Sequence, residues 1–217
     1  MRIFSQKCGK NSNDITVLPV SKRFSVDAIR AVYALGLRSF GENYVQEAEE
    51  KRRELSDLSD LSWVLIGSLQ KNKARLAAEV FDRIETVAGF ALAQKLSAAR
   101  SPLRKPLEVL IQVNISGEPQ KSGVLCDDAL PLAREVAALP RLKFRGFMGV
   151  AENTDDSALR RRQFARLQKI FEDARKAGLN PDMLSMGMSA DMEDAIAEGS
   201  TELRIGTAIF GERTVGK

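Results

Sequence analysis

The sequence contains no histidine. That absence removes every Ser-His-Asp or Cys-His arrangement and all histidine-based metal sites. Acid–base chemistry is left to Lys, Asp, Glu, Tyr, Cys or a bound ligand. Cysteine is nearly absent as well. Cys8 and Cys126 stand far apart with no C-x-x-C spacing, so neither a zinc site nor a disulfide framework is suggested. Two reduced thiols suit the cytosol. Aromatic residues make up only 6% of the 217, and no RNP or zinc-finger module is present. The mildly basic net charge of +4 therefore points weakly, if at all, to nucleic acid. No apolar run approaches the roughly 18 residues that span a bilayer. The leading "MRIFSQKCGKNSND" is polar and lacks the apolar core of a signal peptide. The expectation is a cytoplasmic protein that neither crosses a membrane nor binds nucleic acid.

What the sequence does have is an alternation. Short apolar runs, rich in β-branched residues, fall at 15–21, 38–41, 63–67, 83–87, 107–114, 144–149, 183–187 and 202–206. Between them lie segments such as "SVDAIRAVYALG" and "DSALRRRQFARLQKIFEDARKAG", with apolar residues at three- and four-residue spacing. Helix stop signals recur at Gly36, Gly178 and Gly199. The run "LEVLIQVNIS" is apolar on both alternating faces, as in a parallel sheet covered on both sides. Eight such strands with intervening helices predict a single (β/α)8 TIM barrel. A doubly wound open sheet fits less well, because no G-x-G-x-x-G follows the first strand. No Pro/Gly/Ser-rich linker interrupts the chain, so 1–217 reads as one domain. The basic run "LRRRQFARLQK" (159–169) reads as the solvated face of a helix whose stripe is Leu159, Phe164, Leu167, Ile170 and Phe171.

In a barrel of this kind, chemistry sits at the C-terminal strand ends. That rule selects Lys22, Asn43, Gln70, Lys73, Asn114, Met148, the segment Met186 to Ser189, and Arg204 to Thr207. The turns "SMGMS" and "RIGTAIFG" follow strands seven and eight, a frequent phosphate position in barrels. Glycine lets backbone N–H groups approach phosphate oxygens, and Ser189 and Thr207 add hydroxyl donors beside Gly206. Lys22 closes the first strand, next to the eighth in a closed barrel. A partly desolvated lysine near cations has a lowered pKa and adds readily to an aldehyde. Pyridoxal 5′-phosphate (PLP) carries both an aldehyde and a phosphate.

The segments "VSK" (20–22), "FGENYVQE" (40–47), "IGSLQKNK" (66–73), "IQVNIS…KSG" (111–123), "RGFMGV" (145–150) and "LSMGMSADMEDAIAEGSTELRIGTAIFGER" (184–213) carry a resemblance. In that order they are similar to the pyridoxal-phosphate homeostasis proteins, over nearly the whole chain. The resemblance implies a barrel like the alanine racemase N-terminal domain, with PLP held as a Schiff base on Lys22. It implies that Ser189, Gly206 and Thr207 bind the phosphate. It places Arg204 opposite the pyridine nitrogen and Asn43 beside the ring. It also implies PLP storage or delivery and amino-acid balance, without firm catalytic turnover. Three departures stand out. Val64 replaces a usual histidine, Ser68 replaces a usual proline, and the segment before strand one is short, which predicts a reduced leading helix.

A two-base racemase needs a second acid–base group, and the only tyrosines are Tyr33 and Tyr44. Tyr33 reads as core packing in a helical stripe with Ile29 and Leu37. Tyr44 starts the second helix, nearer the mouth. An arginine opposite the ring nitrogen can only donate, which disfavours the pyridinium and weakens the electron sink. A PLP carrier is therefore the leading expectation. The alternatives are a slow PLP-dependent amino-acid racemase and a basic interaction module using the arginines of 160–166. PLP is the expected ligand, with amino acids and PLP-recipient enzymes as further candidate partners and a monomer as the expected state. Among individual residues, Asn43 fits an N-cap as well as a ring contact. Lys73 and Lys121 read as surface lysines, and Met148 and Met186 as core filler.

Overall fold

A computed structural model of the chain describes residues 15–211. The predicted leading helix and Cys8 lie outside the described residues. Eight strands and eight α-helices alternate among the described residues. In chain order they are β1 (Thr16–Pro19), α1 (Val26–Ala34), β2 (Ser39–Glu42), α2 (Val45–Glu54), β3 (Ser62–Leu65), α3 (Ala74–Val80), β4 (Arg83–Val87) and α4 (Phe90–Ala99). There follow β5 (Leu107–Val113), α5 (Cys126–Ala137), β6 (Leu142–Gly149), α6 (Ser157–Lys176), β7 (Met183–Ser185), α7 (Met192–Ala197), β8 (Glu202–Ile205) and α8 (Thr207–Phe210). The strands pair in parallel in the order β1-β8-β7-β6-β5-β4-β3-β2. A bridge from Val20 to Gly41 joins the two ends, and Ser21 N–H donates to Gly41 O at 2.9 Å. The sheet is thus closed into the (β/α)8 barrel that the alternation predicts.

Local chemistry explains the element ends. Ser25 caps α1, its hydroxyl accepting from Ala28 N–H, and Asp156 caps α6 by accepting from Leu159 N–H. α6 stops where Gly178 takes φ +81. Leu179 N–H then donates to Ala174 O and Gly178 N–H to Arg175 O, which satisfies two end carbonyls. β7 ends at Ser185, two residues before its predicted limit. Gly187 takes φ +98 there, and a Cβ on it would lie 2.6 Å from Ala195 Cβ. Only glycine allows that bend so close to α7.

The large apolar core fills the shell between the barrel wall and the helices; Phe40, Leu65, Ile84, Phe147, Phe164 and Leu184 are fully buried in it. A separate small cluster of Leu110, Met148 and Met183 includes the Met183 sulfur, 3.4 Å from the Arg83 guanidinium. Charged side chains occupy much of the remaining barrel interior. None of the described helices is long and apolar enough to cross a membrane.

Candidate functional site

The C-terminal ends of β8 and β1 open into a cavity of about 280 Å³. Lys22, Arg204, Ser189, Gly206 and Thr207 line it, with Val20, Ile66, Met188 and Ala190. The structure therefore brings five of the six predicted cofactor residues together. They come from three separate stretches of chain, united because β1 and β8 are neighbours in the closed sheet. Ser189 and Thr207 are exposed at the rim, Lys22 and Gly206 are half-buried, and Arg204 forms the floor. Asp191 braces the rim loop by accepting from Met188 N–H at 2.6 Å. Phe24 and Phe210 stack nearby with ring centroids 4.8 Å apart. Asn43 stands outside this lining, at the end of β2, and it does not cap α2. The N-cap position belongs to Tyr44, which makes no side-chain cap bond.

Arg204 is only 4% exposed, and its guanidinium is held on two sides. Nη1 donates to Ser185 Oγ at 2.8 Å and Nη2 donates to Gly149 O at 2.9 Å. Ser185 in turn donates to Glu85 Oε2 at 2.7 Å. Arg83 Nη2 lies 2.9 Å from Glu85 Oε1 and 2.5 Å from Glu202 Oε2. β4 is not a neighbour of β7 or β8, so these contacts cross the barrel interior. Burial, then repulsion from Glu85, pushes the Glu202 carboxyl up to about 8. Burial also opposes ionisation of Glu85, but the charge of Arg83 and hydrogen bonds from Glu202 and Ser185 hold it below the usual carboxylate range. Two carboxyls so close settle with the proton on one of them.

A second buried charge cluster stands behind Lys22. Its neighbour Ser21 is fully buried, with each polar group engaged. The hydroxyl donates to Glu42 Oε1 at 2.6 Å, and the carbonyl accepts from Lys51 Nζ at 2.8 Å. Lys51 Nζ also donates to Glu42 Oε1 at 2.8 Å and Glu47 Oε1 at 2.7 Å. Glu47 Oε1 accepts from Arg23 N–H at 2.5 Å, and Arg23 adopts φ +64. Burial raises the Glu42 carboxyl above its usual range, against the pull of Lys51.

Other predicted residues take structural places. Met148 and Met186 are buried, as expected of core filler. Lys73 donates to Gln46 Oε1 at 3.2 Å. Asn114 shapes its own loop, donating to Glu118 O and accepting from Gly117 N–H. Lys121 is not a solvated lysine. It pairs with Glu118 at 2.5 Å and donates to Ala151 O at 3.0 Å. Tyr33 packs beside the core, its hydroxyl on Asp60 just ahead of β3, at the end of the barrel remote from the cavity. The arginines of 160–166 are partly consumed in helix ties. Arg160 pairs with Asp194 at 2.6 Å, Arg161 pairs with Glu198 at 2.7 Å, and Arg166 donates to Ile115 O.

The two charge clusters were not anticipated from sequence. A signal existed for the interior one. "RIETV" and "ELRI" carry charges two residues apart in strands buried on both faces, so those charges must face the barrel interior.

This is a parallel barrel of the alanine racemase type, with a cationic pocket where its first and last strands meet. The alanine racemase N-terminal domain family matches residues 2–214. The pyridoxal phosphate homeostasis protein of Pseudomonas aeruginosa is 45% identical over 216 residues, covering 100% of this chain and 92% of the relative. That of Escherichia coli K12 is 44% identical, covering 97% and 91%. The chain belongs to the pyridoxal phosphate homeostasis protein family. PipY of Synechococcus elongatus, solved with PLP bound, superposes with a TM-score of 0.84 at 36% identity, covering 97% of this chain and 98% of that one. An alanine racemase from Clostridium difficile shares the fold at a TM-score of 0.78 and 14% identity.

Proposed function

We propose that this chain is a one-domain, cytosolic, monomeric PLP carrier that holds the cofactor covalently on Lys22 and serves PLP homeostasis. The observation that carries the reading is the donor set of the cavity. It offers one amine, one guanidinium and two hydroxyls, and no carboxylate lines it among the described residues. Such a set fits an anionic phosphate ester that also bears an aldehyde. Lys22 would hold the aldehyde end, and Ser189, Gly206 and Thr207 the phosphate. Arg204 would face the ring nitrogen. Asn43, one residue beyond β2, would flank the ring.

Bound PLP supplies an aldehyde for amines and an electron sink for adjacent carbanions. Arg204 works against the second of these. Burial lowers its pKa, yet guanidinium remains a pure donor, and Ser185 and Gly149 fix its plane. A group that can only donate leaves the ring nitrogen unprotonated. Tyr44 is 49% exposed and outside the lining, and Tyr33 lies at the far end, so neither supplies a second base at the cavity. These features favour holding and handing on PLP, with amino acids and PLP-recipient enzymes as partners, over racemase turnover. The PLP-bound PipY structure supports the same ligand.

The test is borohydride reduction of the protein incubated with PLP, followed by peptide mapping. The expected adduct is confined to Lys22 and absent in Lys22→Ala. Scattered adducts on surface lysines would remove the reading. Robust racemisation of a common amino acid, lost in Lys22→Ala, would replace it with the enzyme.

A further inference from the structure

Charge occupies the barrel beneath the cavity, where branched apolar side chains ordinarily stack in layers. Arg83, Glu85, Glu202 and Arg204 are all buried there, together with Ser185. The chain of contacts has a direction. A guanidinium only donates, so Arg204 Nη1 takes a lone pair of Ser185 Oγ at 2.8 Å. A serine hydroxyl carries one hydrogen, and it goes to Glu85 Oε2 at 2.7 Å. Arg83 closes the chain on the far side, 2.9 Å from Glu85 Oε1. Burial lowers the Arg204 pKa, and Glu85 is the charge that opposes it most. Pairing of β7 with β8 does not require any of this. Those strands are already joined by their backbones, with Ser185 opposite Glu202. A fully buried carboxylate is a costly way to add one more tie between them.

We infer that Ser185 and Glu85 are positioning residues for Arg204: the buried carboxylate orients the serine hydroxyl, and the serine oxygen anchors one edge of the guanidinium so that its remaining N–H groups face the cavity. The inference rests on the reading that Arg204 faces the ring nitrogen of PLP, and it adds two residues to it. Without the carboxylate, the Ser185 hydroxyl can turn its hydrogen toward Arg204 instead of its lone pair. The guanidinium then keeps one anchor of two and pivots on Gly149 O. A hydrogen bond to the ring nitrogen depends on that angle, because such bonds weaken steeply once bent below about 120°. The aldehyde and phosphate ends of the ligand do not depend on it.

The experiment compares two aldehydes on the full chain: PLP, and its carbocyclic analogue with C–H in place of the ring nitrogen. Affinities are read from the absorbance of the bound aldehyde, and borohydride mapping locates the adduct. The wild type should prefer PLP by about tenfold, the size of one hydrogen bond from a charged donor. Ser185→Ala should cut that preference to about threefold and leave affinity for the analogue unchanged. Glu85→Gln keeps the shape and removes the charge, so it should lower the preference in the same way; it carries the test if Ser185→Ala does not fold. A wild-type preference in either folded variant would overturn the inference. So would an equal loss of affinity for both aldehydes, which is what a merely structural role produces. If the wild type takes both aldehydes equally, or its adduct is not on Lys22, the reading of the cavity falls first, and the positioning role falls with it.

Discussion

The molecule buries charge in two places, on either side of one cavity, and it builds them differently. Inside the barrel, Arg83, Glu85, Ser185 and Glu202 link across strands and end on the Arg204 side chain. Behind β1, Lys51, Glu42 and Glu47 end on backbone atoms beside Lys22. In the interior group the Arg83 side chain is 11% exposed and that of Glu85 0%, while the Glu47 side chain of the other group is 22% exposed. Inside the barrel the contacts fall on the Arg204 guanidinium. Behind β1 they fall on the main chain of Ser21 and Arg23, the residues on either side of Lys22.

The contrast is open to breakage. Arg83→Met should cost the most, about 3–5 kcal/mol, because it strips the cation from two buried carboxyls. Denaturant unfolding would measure it, and a loss under about 1 kcal/mol would deny that the interior group is interdependent. Lys51→Met should cost less, about 1–3 kcal/mol, since Glu42 is already disposed to take a proton. A loss at the rim equal to that inside would erase the distinction.

Stability should also fall with rising pH. Between the ordinary Glu value of 4.5 and the native value of about 8, folded Glu202 keeps a proton that the unfolded chain has released. Its contribution is complete below 4.5 and is lost as pH climbs through about 8. The slope from this residue is at most about 1.4 kcal/mol per pH unit. Glu202→Gln should flatten the decline between about pH 5 and pH 8. An unchanged slope would place the shared proton elsewhere. The smallest effect belongs to Arg30→Ala, which breaks an exposed pair with Asp57 outside both groups. Solvent screens that pair, so denaturant unfolding should find its loss the smallest of the set, and a loss as large as that of Lys51→Met would deny that burial sets the ranking.

Most of the barrel was legible because parallel strands covered on both faces leave continuous apolar runs. The run at 107–114 became Leu107–Val113, and all five residues of Arg83–Val87 are buried. The pocket was legible for a related reason. Chain order alone puts the first strand beside the last, so Lys22 had to approach Gly206 and Thr207. Lys51 was not legible. It lies in "KRR" on a charged helix, where each step turns about 100°. Helical periodicity marks an apolar stripe, and in "VQEAEEKRRE" it does not say which of three adjacent cations turns inward. Asn43, one residue beyond β2, stands outside the lining of the cavity between β8 and β1.

The sequence by itself determined the alternation of strands and helices, the strand-end lysine and the small-residue turns after the last two strands. Those depend on local periodicity and on the stereochemistry of glycine. Only the tertiary structure decided which charges meet: Arg83 with Glu202 across the barrel, and Lys51 with Ser21 behind it. Such partners lie 119 and 30 residues apart in the chain. No local pattern encodes their meeting; it follows from closure of the sheet, and burial then makes each unpaired charge too costly to leave alone.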